Sequence, residues 1–121
     1  MSVTPNLGLS LVPGNSLQPS IPTNESLQII DALLQLAVQD KDLNAPPVTV
    51  SGDVGKRWIV GPTPTGAWAG QANKIALCTA AGLWLFITPK TGFKGWVIDE
   101  SLDYRFVGST WSAVYDGTVL P

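Results

Sequence analysis

Apolar residues along this chain follow three different spacings. Over residues 1–22, Leu7, Leu9, Leu11, Val12, Leu17 and Ile21 are interleaved with Pro5, Pro13, Pro19 and Pro22 and with Gly8 and Gly14. Proline fixes its own φ and biases the residue before it towards extended backbone, so this stretch predicts an extended arm and no helix. A solvated linker would be more polar. The apolar residues of the arm therefore predict docking onto another surface.

Residues 23–44 change to helical spacing. Asn24, or Thr23, is the expected N-cap, and Glu25 falls in the first turn, where a carboxylate favours the helix dipole. The pattern carries a helix to about Gln39. Leu27, Ile30, Leu34 and Ala37 form one apolar stripe, and Ile29, Leu33 and Leu36 form a second beside it. Seven large aliphatics lie between Leu27 and Val38. At ~1.5–3 kcal/mol each when fully buried, they represent on the order of 10–20 kcal/mol gross. One stripe suffices for packing within a subunit, so the other, Leu27, Ile30, Leu34 and Ala37, is the expected oligomer interface. Only about two heptads are present, which allows a short bundle around an oligomer axis and not a long coiled coil.

Lys41–Asn44 is polar, Ala45-Pro46-Pro47 stiffens the exit, and residues 45–121 then alternate short apolar runs with turn signals. The runs are Arg57–Val60, Lys74–Cys78, Leu83–Ile87, Gly95–Ile98, Tyr104–Val107 and Thr110–Tyr115, all strand-like in length and composition. Thr79–Gly82, Pro89–Gly92, Asp99–Ser101 and Gly108-Ser109 separate successive runs, as an antiparallel meander requires. The fold class expected is α+β, mostly β: an arm, one N-terminal helix, and a compact antiparallel meander closing into a small sandwich or barrel.

Composition sharpens this picture in one respect. Charged residues make up 13% of the 121 residues against 45% hydrophobic, mean hydropathy is +0.20, and net charge is −2. Such a surface is poor in charge for a free monomer, so subunit contacts are expected. No basic cluster marks a nucleic-acid binder. Apolar runs fall far short of the roughly 20 residues that span a bilayer, and no basic-then-apolar leader follows Met1.

Candidate chemistry is sparse. There is no histidine, and Cys78 stands alone in the apolar stretch Ile75–Cys78, where it reads as a small hydrophobe. Asp99 and Glu100 with Asp103 are the densest acids, but they fall in a short polar turn rather than across a cleft. Asp40, Asp42 and Asp53 lack the calcium-loop spacing, and Gly61 and Gly66–Gly70 lack that of a phosphate loop. The chain is expected to be no enzyme, with no cofactor and no metal. Of Trp58, Trp68, Trp84, Trp96 and Trp111, four lie in strand-like runs and Trp68 lies in a glycine-bounded loop. Flat rings stack on sugars, so Trp68 and Tyr115 are the candidate contacts for a glycan.

Seven segments in order carry a resemblance. They are Asn24-Glu25-Ser26-Leu27, Ile30-Asp31-Ala32-Leu33-Leu34, Ala45-Pro46-Pro47, Trp58-Ile59-Val60, Gly66-Ala67-Trp68-Ala69-Gly70, Trp84-Leu85-Phe86 with Thr88-Pro89, and Gly108-Ser109-Thr110-Trp111. Over about residues 23–113 the chain resembles domain-of-unknown-function family 2793, small proteins of phages, prophages and gene-transfer agents. Ahead of the helix, Gly14–Pro19 departs from the family's Gly-Gln-Ala-Gln-Lys stretch. The resemblance supplies no catalytic residue. It implies a virion protein made in the host cytoplasm, part or base of a head or tail fibre or spike. The partners expected are itself, as a homotrimer, and other virion proteins, with no nucleic acid and no membrane insertion. A host-surface glycan-binding module is the alternative.

Overall fold

The computed structural model describes residues 2–13 and 20–114. It divides into two compact units, residues 1–35 and 36–121.

The first unit is built on α1, Ser20–Leu33. The helix starts ahead of the expected cap: Pro22 is accommodated in the first turn, where its missing N–H has no partner to lose. Asn24 is thereby placed inside the helix, with its amide free for another task. The helix also stops earlier than expected. Leu34 N still donates to Ile30 O at 2.9 Å, but Gln35 turns to φ 60°, a left-handed conformation that ends helices. Leu36-Ala37-Val38 is apolar and fits helical spacing equally well, and no glycine marks the stop. Ala37 is thus not on the helix, which corrects its assignment to the apolar stripe.

Of the arm ahead of α1, the structure describes residues 2–13. Ser2–Leu11 folds back on itself, with Thr4 N donating to Leu9 O at 2.8 Å, Leu11 N to Ser2 O at 3.0 Å, and an antiparallel bridge between Val3 and Ser10. Gly8, at φ 71°, supplies the left-handed residue that the turn needs.

The second unit carries β1 Ala37–Val38, β2 Arg57–Ile59, β3 Ile75–Ala80, β4 Leu83–Ile87, β5 Lys94–Val97, β6 Leu102–Val107 and β7 Thr110–Val114. Two short 3-10 turns, Ser51–Asp53 and Gly66–Trp68, fall in its loops. The strands form two sheets, β1-β5-β6-β7 and β2-β3-β4. All neighbours are antiparallel except β1 and β5, which run parallel with Ala37 opposite Trp96 and Val38 opposite Val97. Fold class is therefore as the hydrophobic pattern predicts, mostly β with one helix. The meander is broken once: β4 and β5 lie in different sheets, so Pro89–Gly92 is a crossover and not a hairpin turn.

The same chain segment stitches the sheets together. Just past β1, Gln39 N donates to Arg57 O at 2.7 Å and Asp40 O accepts from Ile59 N at 3.0 Å. The inner edges of both sheets are therefore occupied, and among the described residues β4 and β7 are the outer edges.

One face of β2-β3-β4 holds a core of Trp58, Val60, Trp68, Ala76 and Cys78, with Leu43, Trp84 and Phe86 packed against it. The rings meet edge to face, Trp58 and Trp84 at 5.4 Å and Trp68 and Trp84 at 5.2 Å between centroids, the arrangement favoured by ring quadrupoles. The other face buries Ile59, Ile75, Leu77 and Ile87. On the second sheet the alternation is cleaner: Val97, Tyr104 and Phe106 are buried while Lys94, Trp96, Arg105 and Val107 face out. Gly61 closes the core loop. Its N–H donates to Leu43 O at 2.8 Å, and a Cβ there would fall 2.8 Å from that same oxygen.

Candidate functional site

The helix of the first unit carries a clasp. Asp31 is 1% exposed, yet both its oxygens are fully engaged by the folded arm. Oδ1 accepts from Thr4 Oγ1 at 2.5 Å and from Leu7 N at 2.6 Å. Oδ2 accepts from Asn6 N at 2.9 Å and from Asn6 Nδ2 at 3.0 Å. Burial raises the pKa of this carboxyl, but the bonds from Thr4, Leu7 and Asn6 outweigh it and hold it below the ordinary value of 3.8.

Asn24 makes the second attachment, two turns earlier on the helix. Its Oδ1 accepts from Val12 N at 2.8 Å and its Nδ2 donates to Val12 O at 3.0 Å, so the side-chain amide pairs with the arm as a neighbouring strand would. The role of Asp31 was legible in one respect: it is a lone acid within the apolar run Ile29–Leu34, and buried acids need partners.

Around this clasp the expected interface residues separate. Ile30 is 48% exposed on the last turn of the helix, and Leu34, which follows its end and still donates to Ile30 O, is 55% exposed. Leu27 is half-buried, and Leu7 of the arm is 38% exposed. Leu9, Leu11 and Val12 are half-buried in the clasp. Leu17 and Tyr115 lie outside the described residues, as does the side chain of Ile21.

Trp68 is not at the surface. Its turn folds inward, the side chain is 0% exposed, and Trp84 covers one of its edges. No ring face is left for a sugar, so Trp68 is corrected from candidate glycan contact to core residue. The most exposed tryptophan is Trp96, 40% exposed on the outer face of β5, while Trp84 and Trp111 are half-buried. Flanking glycines marked the Trp68 loop as tight but said nothing about which way the ring turned.

Two acids of the second unit flank Lys41, while Asp53 pairs with Lys56 at 2.8 Å. Lys41 Nζ lies 3.0 Å from Asp42 and 4.0 Å from Glu100, and 4.8 Å above the Tyr104 ring. Tyr104 donates its hydroxyl to Glu100. Desolvation, then the charges of Asp40, Glu100 and Asp42, raise the pKa of Asp99. Among the described residues, no three His, Cys, Asp or Glu side chains are placed to hold a metal ion. Nor is any helix there long and apolar enough to cross a membrane.

Fold and site together define a mostly-β domain preceded by a clasped, partly apolar helix. The family model for a protein of unknown function, DUF2793, matches residues 23–112. The chain belongs to that family. The match takes in Asn24 and Asp31 but begins after the arm that they hold. No curated protein matches the chain.

Proposed function

We propose that this protein is a structural component of a bacteriophage or phage-like particle, forming part or base of a head or tail fibre or spike. It self-associates through α1 as a homotrimer, and the clasped arm is its point of attachment to other virion proteins. The observation that carries this reading is the exposed pair Ile30 on α1 and Leu34 immediately past its end. A chain with 13% charged residues leaves these aliphatics in water unless another subunit covers them. Leu7 of the arm adds to the uncovered apolar surface of the same unit.

Assembly is tested by sedimentation of the purified chain at micromolar concentration. Wild type is expected in multiples of three, and Ile30→Glu with Leu34→Glu is expected to abolish those species while leaving the far-UV circular dichroism unchanged. A wild-type monomer at that concentration would refute the helix interface.

A further inference from the structure

The open edge of β4 presents unpaired backbone. Cys78 turns its N–H to Lys56 O at 3.0 Å and its carbonyl to Gly55 N at 2.9 Å, on the side away from β4. In an antiparallel pair, opposite residues either face each other or both face away, so Trp84, opposite Cys78, turns its N–H and C=O outward. The alternation repeats at Phe86, opposite Ala76. β4 closes its sheet at one side, and among the described residues these outward groups of Trp84 and Phe86 make no hydrogen bond.

Proteins ordinarily blunt such an edge with lysine, proline, a bulge or a covering segment. β4 has none within it: it reads Leu83-Trp84-Leu85-Phe86-Ile87, and the one irregularity of the hairpin lies in β3, between Cys78 and Ala80. Leu83 is 61% exposed, and Trp84, Leu85 and Phe86 are half-buried.

We infer that β4 is a strand-pairing site whose occupant is β4 of a second copy, antiparallel and centred on Leu85. In that register Trp84 of each chain exchanges both backbone hydrogen bonds with Phe86 of the other, and Leu85 meets Leu85 as a non-hydrogen-bonded pair. Leu83 then faces Ile87, so every apolar position meets an apolar one. The aromatic row of Trp58 and Trp84 continues across the junction as a cross-strand aromatic pair, a favourable contact in sheets.

Charge selects the occupant. An all-apolar edge rejects a charged strand, and β2, β5 and β6 carry Arg57, Lys94, Asp103 and Arg105. Among the described strands longer than the two-residue β1, β4 alone has neither a charge nor a hydroxyl. The two-fold pairing is isologous and closes on itself. It deepens the assembly reading and rests on it for self-association, but not for location in a particle.

The test is oxidative cross-linking of Leu85→Cys. Its Cβ atoms would sit within about 5.5 Å of each other across the two-fold, close enough for a disulfide after small adjustment. A disulfide dimer is expected at least tenfold above the level formed by wild type, which has only Cys78, and above that formed by Leu83→Cys. In the Ile30→Glu, Leu34→Glu background the chain should remain a dimer, and adding Leu85→Lys should make it a monomer with unchanged circular dichroism. No excess cross-link in a folded Leu85→Cys chain would overturn the pairing. So would preferential cross-linking to Ser112→Cys, which would place β7 of the neighbour there instead. A failed cross-link beside intact multiples of three would remove the β4 contact and leave the α1 interface standing.

Discussion

Asp31→Ala releases the arm. The carboxylate accepts from Thr4, Asn6 and Leu7, and its removal leaves the Thr4 hydroxyl, itself 2% exposed, without its acceptor. An unsatisfied buried group costs about 1–3 kcal/mol. The neighbouring amides lie nearer solvent and recover part of their loss from water, so the first unit is expected to lose about 2–4 kcal/mol. Hydrogen exchange at the Asn6, Leu7 and Leu9 amides reads this directly. Exchange is expected to quicken there while the β strands keep their protection. Unchanged exchange at Asn6 and Leu7 would show that the clasp does not depend on Asp31.

The same carboxylate gives the clasp a pH dependence of defined sign. Its folded pKa lies below the unfolded value of 3.8, so the contribution to stability is fully present above the unfolded pKa. It is lost as pH falls through the folded one. Acidification below 3.8 should therefore loosen residues 2–13 in wild type. In Asp31→Asn that acid-dependent loosening should disappear, because nothing titrates at the position.

Trp68→Ala is expected to cost about 3–5 kcal/mol, as truncation of a buried large aromatic does. The ring is fully buried and packs edge to face on Trp84, so the cavity opens between the loop and the three-stranded sheet. Trp68→Phe separates packing from polarity. The indole Nε1 is buried without a hydrogen-bond partner among the described residues, so phenylalanine keeps most of the apolar contact and leaves no donor unsatisfied. The cost should fall to about 1 kcal/mol. Denaturant melts of the two variants measure the difference, and equal losses would mean that the Nε1 group contributes more than the ring.

Strand positions were read from the chain because turn residues bracket each apolar run. Leu83–Ile87 is observed over the residues expected, and Tyr104–Val107 lies inside β6. β1 was missed because Ala37-Val38 has only two residues in the ladder and continues the apolar spacing of α1 without a glycine. Its pairing is parallel and distant in sequence, with Trp96 and Val97, and nothing local encodes it. The crossover from β4 to β5 escaped for a related reason, since Pro89–Gly92 carries the chemistry of a hairpin turn whichever sheet the next strand joins.

The site was less legible than the fold. Of the stripe marked by helical spacing, Ile30 and Leu34 are exposed, Leu27 is half-buried and Ala37 lies in β1. The prolines of the arm argued against helix, which holds over residues 2–13 but fails at Ser20–Pro22, where α1 begins; they also hid the fold-back at Thr4–Leu9, which depends on hydrogen bonds to Asp31 from residues 24 to 27 positions away. Trp68 shows the converse error: loop chemistry gave the turn, and only packing against Trp84 gave the direction of the ring.

A structural component of a particle, as proposed, is present in it at a fixed stoichiometry. Gradient-purified particles carrying a tagged copy, labelled with gold and imaged by electron microscopy, test it most directly. The account predicts the chain in the particle fraction and label at one fixed position on each head, tail or fibre base. Particles free of the chain, with the protein left behind in the soluble lysate, would contradict it.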